Sequence, residues 1–141
     1  MDALTVPGVL ESLEPVGKYV MAAAAEAGLP RPAAYKLRLA VDEIVTNSIV
    51  HGYDEAGTTG EVRLDAEIDD QALRLIVEDT GAPFDPHSIA PPPDLSKPLE
   101  ERQIGGLGIF LVYESVDEFI YEHNGKHNRN IFIVKRGSAS N

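Results

Sequence analysis

The chain has 141 residues, of which 43% are hydrophobic and 6% aromatic, as is typical of one compact globular domain. Its formal net charge of -11 opposes phosphate backbones and anionic lipid headgroups, so we expect neither nucleic acid nor a membrane as a partner. The absence of cysteine excludes disulfides, thiolate metal sites and cysteine nucleophiles. Because the chain has no signal-peptide pattern and no long apolar run, we expect a cytoplasmic protein.

A short strand and two helices are predicted in the N-terminal part of the chain. Residues 3–7 suit a strand, and residues 10–27 carry apolar side chains at helical spacing. A second helix is predicted over 33–52, because Pro32 suits the first position of a helix and helix-forming residues continue from there. We expect Gly52 to end this helix.

A hairpin followed by a long loop is predicted in the middle of the chain. Apolar and polar residues alternate over 62–68 and again over 73–77, on either side of an Asp-Asp turn at 69–70. Residues 80–102 contain six prolines and show no sustained periodicity, which predicts a loop. Because a loop of this length in a compact domain is usually functional or disordered, we interpret it as a candidate lid.

The C-terminal part predicts one more helix and one more hairpin. The helix begins at Gly108, and strands over 119–122 and 131–135 flank a turn at 124–125. Strands that meet through hairpins, combined with helices, favour an α+β fold arranged as a two-layer sandwich.

A polar stripe is predicted on the second helix. Glu43, Asn47 and His51 follow one another at i, i+4 spacing and therefore share one face, with apolar residues on both sides. A carboxylate and an amide in this position need polar partners, which a Mg²⁺ ion bound through the Asn oxygen would provide, with Glu polarising a nearby hydroxyl. The alternative is an ordinary capped or solvent-facing helix surface.

Two further segments carry ligand-binding potential. Asp79 stands at the end of a predicted strand, and Gly81 permits a tight turn or a close approach of the backbone to a ligand. The run Gly105-Gly106-Leu107-Gly108 precedes an apolar helix, whose free N–H groups suit an anion. Taken singly, the first segment also fits a simple turn, and the second is a common kind of glycine cluster.

Together and in this order, the three segments resemble the N box, G1 box and G2 box of the GHKL ATPase superfamily, which includes gyrase, MutL and histidine kinases. The stretches that carry the resemblance are DEIVTNSIVHG (42–52), DTGAPFDP (79–86) and GGLGIFLV (105–112). They look most like those of bacterial anti-sigma-factor serine/threonine protein kinases, and the resemblance spans about Leu4 to Arg136. It implies a Bergerat-type α/β sandwich, with a mostly antiparallel sheet, helices on one face and an ATP lid.

The resemblance also implies boundaries and roles. A single ATP-binding domain would span 1–136, with the lid at about 85–104 and a flexible tail at 137–141. Asn47 would coordinate Mg²⁺, and Glu43 would act as general base or orient the attacking hydroxyl. Asp79 would accept a hydrogen bond from the adenine amino group, and Gly81 would line the adenine pocket.

The phosphates of ATP would lie near the third segment. By the resemblance, Gly106 and Gly108 would present backbone N–H groups to them within the run that also contains Gly105 and Leu107, and His51 would add a contact. Arg102, in the lid, is a further candidate, because a planar guanidinium suits phosphate oxygens. A solvated loop charge is the alternative for Arg102.

The function implied by the resemblance is an ATP- and Mg²⁺-dependent serine/threonine protein kinase and anti-sigma factor in a partner-switching system. Its substrate would be a STAS-type anti-anti-sigma protein, a sigma factor would be the second partner, and the kinase would be a homodimer. Phosphoryl transfer depends mainly on positioning and charge neutralisation, so one base and one metal can suffice.

Two other functions fit the same sequence less well. A nucleotide-binding regulatory module would sequester a protein partner without phosphoryl transfer, but the presence of both Glu43 and Asn47 disfavours it. The catalytic domain of a histidine kinase would be preceded by a helical hairpin with a phospho-accepting His, which the sequence lacks.

Overall fold

The computed structural model describes residues 1–88 and 107–137, and in them an antiparallel sheet of five strands carries helices on one face. This confirms the predicted α+β class. The elements are β1 (Leu4–Pro7), α1 (Leu13–Glu26), α2 (Arg31–Asn47), β2 (Glu61–Ile68), β3 (Ala72–Asp79), α3 (Leu107–Ser115), β4 (Glu118–His123) and β5 (Asn128–Lys135). None of the helices in these ranges has the length and apolarity needed to span a lipid bilayer.

The sheet has the strand order β1-β2-β3-β5-β4, and every neighbouring pair is antiparallel. Hairpins connect β2 to β3 and β4 to β5, as the sequence predicts. The last strand lies between β3 and β4, so that β5 occupies the interior of the sheet and β4 its edge. In this register the last residue of β3, Asp79, faces the first residue of β5, Asn128.

The core lies between the inner face of the sheet and the helices. Alternate strand residues point inward, and the buried side chains of α1 and α2 cover them. Removal of this apolar surface from water is the main force that holds the two layers together. Side chains that are fully buried include Val16, Val20, Leu37, Val41, Ile44, Leu64, Leu73, Leu75 and Phe132.

The prediction that Gly52 ends the second helix is wrong. The α-helix ends at Asn47, and the chain continues through a π-helical stretch, Ser48–Asp54, in which the Glu55 N–H donates to the Val50 carbonyl at 2.9 Å. Gly52 lies inside this stretch and does not have the positive φ of a typical helix-ending glycine. Single π turns of this kind are frequent at functional sites.

Strand β5 begins at Asn128 and not at Ile131, where the apolar alternation begins. Asn128 and Asn130 point toward the buried side of the sheet, at positions where the alternating pattern calls for apolar residues. Because these two inward-facing positions carry polar side chains, the sequence pattern does not indicate where the strand starts. The early start matters because it places Asn128 beside Asp79.

The π-helical stretch is attached to the sheet through Tyr53, which is 1% exposed. Its hydroxyl donates to the Glu61 carbonyl at 2.7 Å and accepts the Thr80 N–H at 3.0 Å. Its ring fills the space beside Gly8 and Gly60, where an added Cβ would lie 2.7 Å and 2.6 Å from ring atoms. One side chain therefore connects the end of β1, the start of β2 and the end of β3.

Tyr53→Phe keeps the ring but removes both hydrogen bonds, and it leaves the Thr80 N–H without its acceptor. We expect a loss of about 1–2 kcal/mol in the free energy of unfolding, measured by urea denaturation. Tyr35→Phe is the control, because Tyr35 is 51% exposed and should change stability by less than about 0.5 kcal/mol. Equal effects of the two substitutions would contradict the role given to the Tyr53 hydroxyl.

Candidate functional site

Two of the predicted site residues, Glu43 and Asn47, lie one turn apart on α2, and both are half-buried. The Glu43 carboxylate lies directly against Gly108 in α3, so closely that an added Cβ on Gly108 would overlap it. The structure therefore brings the first and third predicted segments into contact. A side chain at position 108 would have to displace the Glu43 carboxylate, which is the far end of a flexible side chain.

The contact occurs at the N-terminus of a helix. Because α3 begins at Leu107, both Leu107 and Gly108 lie in its first turn, not before the helix. Backbone N–H groups in a first turn have no carbonyl partner within the helix, and the helix dipole makes this end partly positive. The place occupied by the Glu43 carboxylate thus favours negative charge, as an anion-binding site requires.

Asn47 carries a buried side-chain nitrogen, Nδ2, without a hydrogen-bond partner among the described residues. Buried polar atoms without partners are rare and indicate that another group belongs beside them. Rotation of the amide exchanges its nitrogen and oxygen, so the same place can present an oxygen to a cation.

A metal at Asn47 would need ligands other than a cluster of acidic and histidine side chains in the part of the chain that the structure describes. Among residues 1–88 and 107–137 no cluster of three or more His, Cys, Asp or Glu side chains could hold a metal ion. Mg²⁺ does not require such a cluster, since it commonly binds through one or two protein oxygens together with water and substrate phosphates. The partnerless amide of Asn47 fits this mode of binding.

Asp79 is held rigidly at the end of β3 and is only 3% exposed. Its Oδ1 atom accepts the Gly81 N–H at 2.9 Å and an Nδ2–H of Asn128 at 2.9 Å. Within the described ranges both hydrogen bonds fall on the same oxygen, which leaves Oδ2 as the acceptor for a ligand. A buried carboxylate fixed in this way suits the recognition of one hydrogen-bond donor.

Gly81 allows two backbones to touch. An added Cβ at Gly81 would lie 2.7 Å from the Gly52 carbonyl oxygen, and the Ala82 N–H donates to that oxygen at 2.9 Å. Since φ of Gly81 is not positive, glycine is needed here for space and not for a left-handed turn. The close approach is to the backbone of the π-helical stretch, and the predicted approach of Gly81 to a ligand stays a prediction.

His51 does not continue the stripe of Glu43 and Asn47 as predicted. The α-helical spacing ends at Asn47, and His51 lies in the wider turns of Ser48–Asp54, so the i, i+4 spacing on which the shared face was predicted does not reach it. The ring stacks on Phe84, with centroids 4.5 Å apart and planes inclined by 16°, and Nδ1 lies 2.7 Å from a Glu55 carboxylate oxygen. These contacts connect the π-helical stretch to the segment that leads toward the predicted lid.

Several predicted residues lie outside the described ranges. These are Arg102, Gly105 and Gly106, together with the predicted lid after residue 88. The beginning of that segment is described: Pro86–Ser88 forms a 3₁₀ turn, and the Asp85 carboxylate accepts the His87 N–H at 2.9 Å.

Asn128 and Tyr121 are site residues that the sequence did not reveal. Asn128 donates to the Asp79 carboxylate, and the Tyr121 hydroxyl donates to Asn128 Oδ1. Burial raises the pKa of Tyr121, against the opposing effect of the Phe84 backbone N–H, so the hydroxyl keeps its proton. The available signal is the pair of asparagines at inward positions of a strand, which indicates polar contacts inside the sheet.

Asp42, next to Glu43 in sequence, also has a perturbed acidity. Burial raises the pKa of its carboxyl group, partly offset by the positive charge of Arg38. Because its pKa in the folded protein lies above the ordinary value, its ionisation opposes folding, and this opposition is relieved as the pH falls through the raised pKa.

Gly81→Ala should lower the free energy of unfolding by about 1–3 kcal/mol, since the added methyl group meets backbone atoms that cannot move aside. Gly108→Ala is the matched comparison, because its methyl group meets only the flexible end of Glu43. Alanine is also the better helix former, so we expect Gly108→Ala to cost less. Urea denaturation of the two variants measures the order, and a larger cost at Gly108 would show that the Glu43 carboxylate is rigidly fixed.

Comparison with known proteins agrees with this geometry. A family model described as a histidine kinase-like ATPase domain matches residues 6–134. The chain is 33% identical over 118 residues to the serine-protein kinase RsbW of Halalkalibacterium halodurans, covering 82% of this chain and 71% of that protein. It is 30% identical over 108 residues to the serine-protein kinase RsbW of Staphylococcus epidermidis, covering 74% and 68%.

The match to the serine-protein kinase RsbW of Staphylococcus aureus (strain MRSA252) is 32% over 92 residues and covers 62% of this chain and 58% of that protein. The family match includes α2, the end of β3 and the start of α3, which carry Asn47, Asp79 and Gly108. The chain therefore belongs to the family of histidine kinase-like ATPase domains that also includes these serine-protein kinases.

Proposed function

We propose that the chain is an ATP-dependent serine/threonine protein kinase that also serves as an anti-sigma factor in a partner switch. Its substrate is an anti-anti-sigma protein of the STAS type, and in the alternative state it binds a sigma factor. The observation that carries the proposal is the contact of the Glu43 carboxylate with the first turn of α3, one helical turn from the partnerless Asn47 amide. The relatives named as serine-protein kinases support it.

The nucleotide is held at two places in this proposal. The buried Asp79 carboxylate accepts a hydrogen bond from the amino group of adenine through Oδ2, while its Oδ1 remains bound to Gly81 and Asn128. The phosphates lie toward the N-terminus of α3. Asn47 contributes an amide oxygen to Mg²⁺, which neutralises phosphate charge when bound.

Glu43 is the catalytic base of the proposed reaction. It accepts the proton of the serine or threonine hydroxyl as the hydroxyl oxygen forms a bond to the γ-phosphorus, and the bond from that phosphorus to the oxygen of the departing ADP breaks. The carboxylate already lies at the helix terminus to which the phosphates are assigned. In this proposal the nucleotide extends from Asp79 to Glu43. Asp79 recognises the adenine ring, and Glu43 serves the transfer of the phosphoryl group.

The remaining assignments belong to the same proposal. A single domain spans 1–136 with a lid at about 85–104, and Arg102, Gly105 and Gly106 contact phosphate as the lid closes. The kinase acts as a homodimer. The family match over 6–134 supports the single domain.

Glu43→Gln should abolish transfer while the nucleotide still binds, because the amide keeps the shape of the side chain but cannot accept the proton. We expect the rate of phosphate transfer from radiolabelled ATP to an anti-anti-sigma protein of the same genome to fall by about 10² or more. Affinity for ADP, measured by calorimetry, should change by less than about threefold, a difference below 1 kcal/mol.

Glu67→Gln is the control, since Glu67 is an exposed carboxylate on β2 that pairs with Arg74 at 3.0 Å. Unchanged turnover in the Glu43 variant would exclude this residue as the base. Nucleotide binding by the wild type without any transfer to the protein substrate would favour a sequestering module over a kinase.

Asn47→Ala should remove the dependence of nucleotide affinity on Mg²⁺, because the side chain is the protein ligand of the ion in this proposal. Titrating ADP into wild type and variant, each with Mg²⁺ and with EDTA, measures this dependence. We expect Mg²⁺ to strengthen binding to the wild type by at least about tenfold and to have little effect on the variant. An equal Mg²⁺ effect in both proteins would place the ion elsewhere.

A further inference from the structure

Asn128 is a fully enclosed side chain that joins the end of β3 to the start of β5. It is 3% exposed, and its Nδ2 group donates to Asp79 Oδ1 at 2.9 Å and to the carbonyls of Gly81 and Ala82, each at 3.1 Å. The two N–H bonds of one amide thus serve three acceptors in the turn that follows β3. Few side chains of a small domain are engaged so completely.

The other end of the amide is engaged as well. Asn128 Oδ1 accepts the hydroxyl of Tyr121 and, at 3.4 Å, the N–H of Phe84. Tyr121 lies on the edge strand β4, and burial raises the pKa of its hydroxyl, so it remains a donor. These contacts fix which end of the amide faces Asp79, because a reversed amide would direct its N–H groups at the Tyr121 hydroxyl and its oxygen at the Asp79 carboxylate.

The chemistry of an amide suits this position. A Lys or Arg in place of Asn128 would hold the Asp79 carboxylate more tightly but would neutralise its charge and weaken it as an acceptor. A neutral donor occupies Oδ1 and leaves the charge on the carboxylate. The second oxygen then remains a strong acceptor whose direction is fixed by the first.

We propose that Asn128, held by Tyr121, is a positioning residue that aims Asp79 Oδ2 at the amino group of adenine and so sets the preference for adenine over other bases. The inference rests on the proposed function, in which Asp79 reads adenine. It adds to that site two supporting residues, on β5 and β4, that lie outside all three sequence segments. Asn128 itself does not contact the base.

The ratio of the affinities for ADP and IDP measures how well Asp79 Oδ2 is oriented toward the amino group of adenine. The two nucleotides differ at position 6 of the base, where adenine carries an amino donor and hypoxanthine carries a carbonyl acceptor, and at N1, which bears a hydrogen only in hypoxanthine. A correctly aimed carboxylate bonds the first and repels the second, whereas a misaimed one discriminates less. Loss of folded protein would lower both affinities equally and leave their ratio unchanged, so the ratio separates positioning from stability.

Calorimetric titration of ADP and IDP into wild type, Asn128→Leu and Tyr121→Phe tests the inference. We expect the wild type to prefer ADP by at least about tenfold, as sites built to bond a polar group do. In Asn128→Leu, which keeps the branched arrangement of four side-chain heavy atoms but has no donor, the preference should fall by about fivefold or more. In Tyr121→Phe it should fall by about two- to threefold, because Asn128 keeps its donors but loses one contact that orients it.

Ser12→Ala is the control, because it also removes a buried hydroxyl that donates to a backbone carbonyl, that of Pro7 at 2.6 Å, and Pro7 belongs to β1, two strands across the sheet from Asp79. Its preference should equal that of the wild type. If Asn128→Leu does not fold, the ADP preference of Tyr121→Phe alone tests the inference, since this variant lacks only one hydroxyl.

The outcomes separate the inference from the function on which it rests. A wild type that binds both nucleotides equally overturns the assignment of Asp79 to adenine, and this inference with it. A wild type that prefers ADP, with a preference lost in Asp79→Asn but kept in both Asn128→Leu and Tyr121→Phe, overturns the positioning role alone. A preference lost in Asn128→Leu or reduced in Tyr121→Phe, and kept in Ser12→Ala, supports it.

Discussion

The backbone contact between Gly52 and Gly81 is the constraint on which the site depends. The Gly52 carbonyl accepts the Ala82 N–H at 2.9 Å, and a single Cβ on Gly81 would come within 2.7 Å of that oxygen. With no side chains between them, the end of the α2 segment and the end of β3 meet at the shortest distance that two chains allow. The groups carried by the two segments are thereby fixed relative to each other, as precise ligand binding requires.

The same contact explains why the helix widens into a π turn. A regular α-helix after Asn47 would carry His51 onward along the face of Glu43, but the wider turn brings Gly52 against the sheet and seats Tyr53 between β1, β2 and β3. A π turn is less favourable than an α turn. The buried ring and hydroxyl of Tyr53, together with the stacking of His51 on Phe84, offset that cost.

The sequence predicted the parts of this site that depend on local spacing. Glu43 and Asn47 follow from helical periodicity, and Asp79 follows from the alternation of a strand. Gly81 was expected to permit a tight turn or the approach of a ligand, and its contact with Gly52 was not predicted because it depends on tertiary packing. The π-helical stretch that contains His51 was not predicted, because no local pattern signals a π turn. Asn128 was missed because a buried asparagine at the start of a strand resembles a turn residue, and the insertion of β5 between β3 and β4 has no signature in the sequence.

The electrostatics of the site are set by its two carboxylates and by the groups that can offset their negative charge. The chain carries a formal net charge of -11, and the two side chains assigned to recognition and proton transfer, Asp79 and Glu43, are both carboxylates. Such a site repels a triphosphate unless positive charge is supplied locally. The first turn of α3 provides a fixed partial charge, and the Asn47 amide offers an oxygen ligand that adds no further negative charge when Mg²⁺ binds. In the proposed site, an Asp in place of Asn47 would bind the free ion more strongly but would add a third carboxylate beside the phosphates. The neutral amide would therefore make metal affinity depend on the presence of nucleotide.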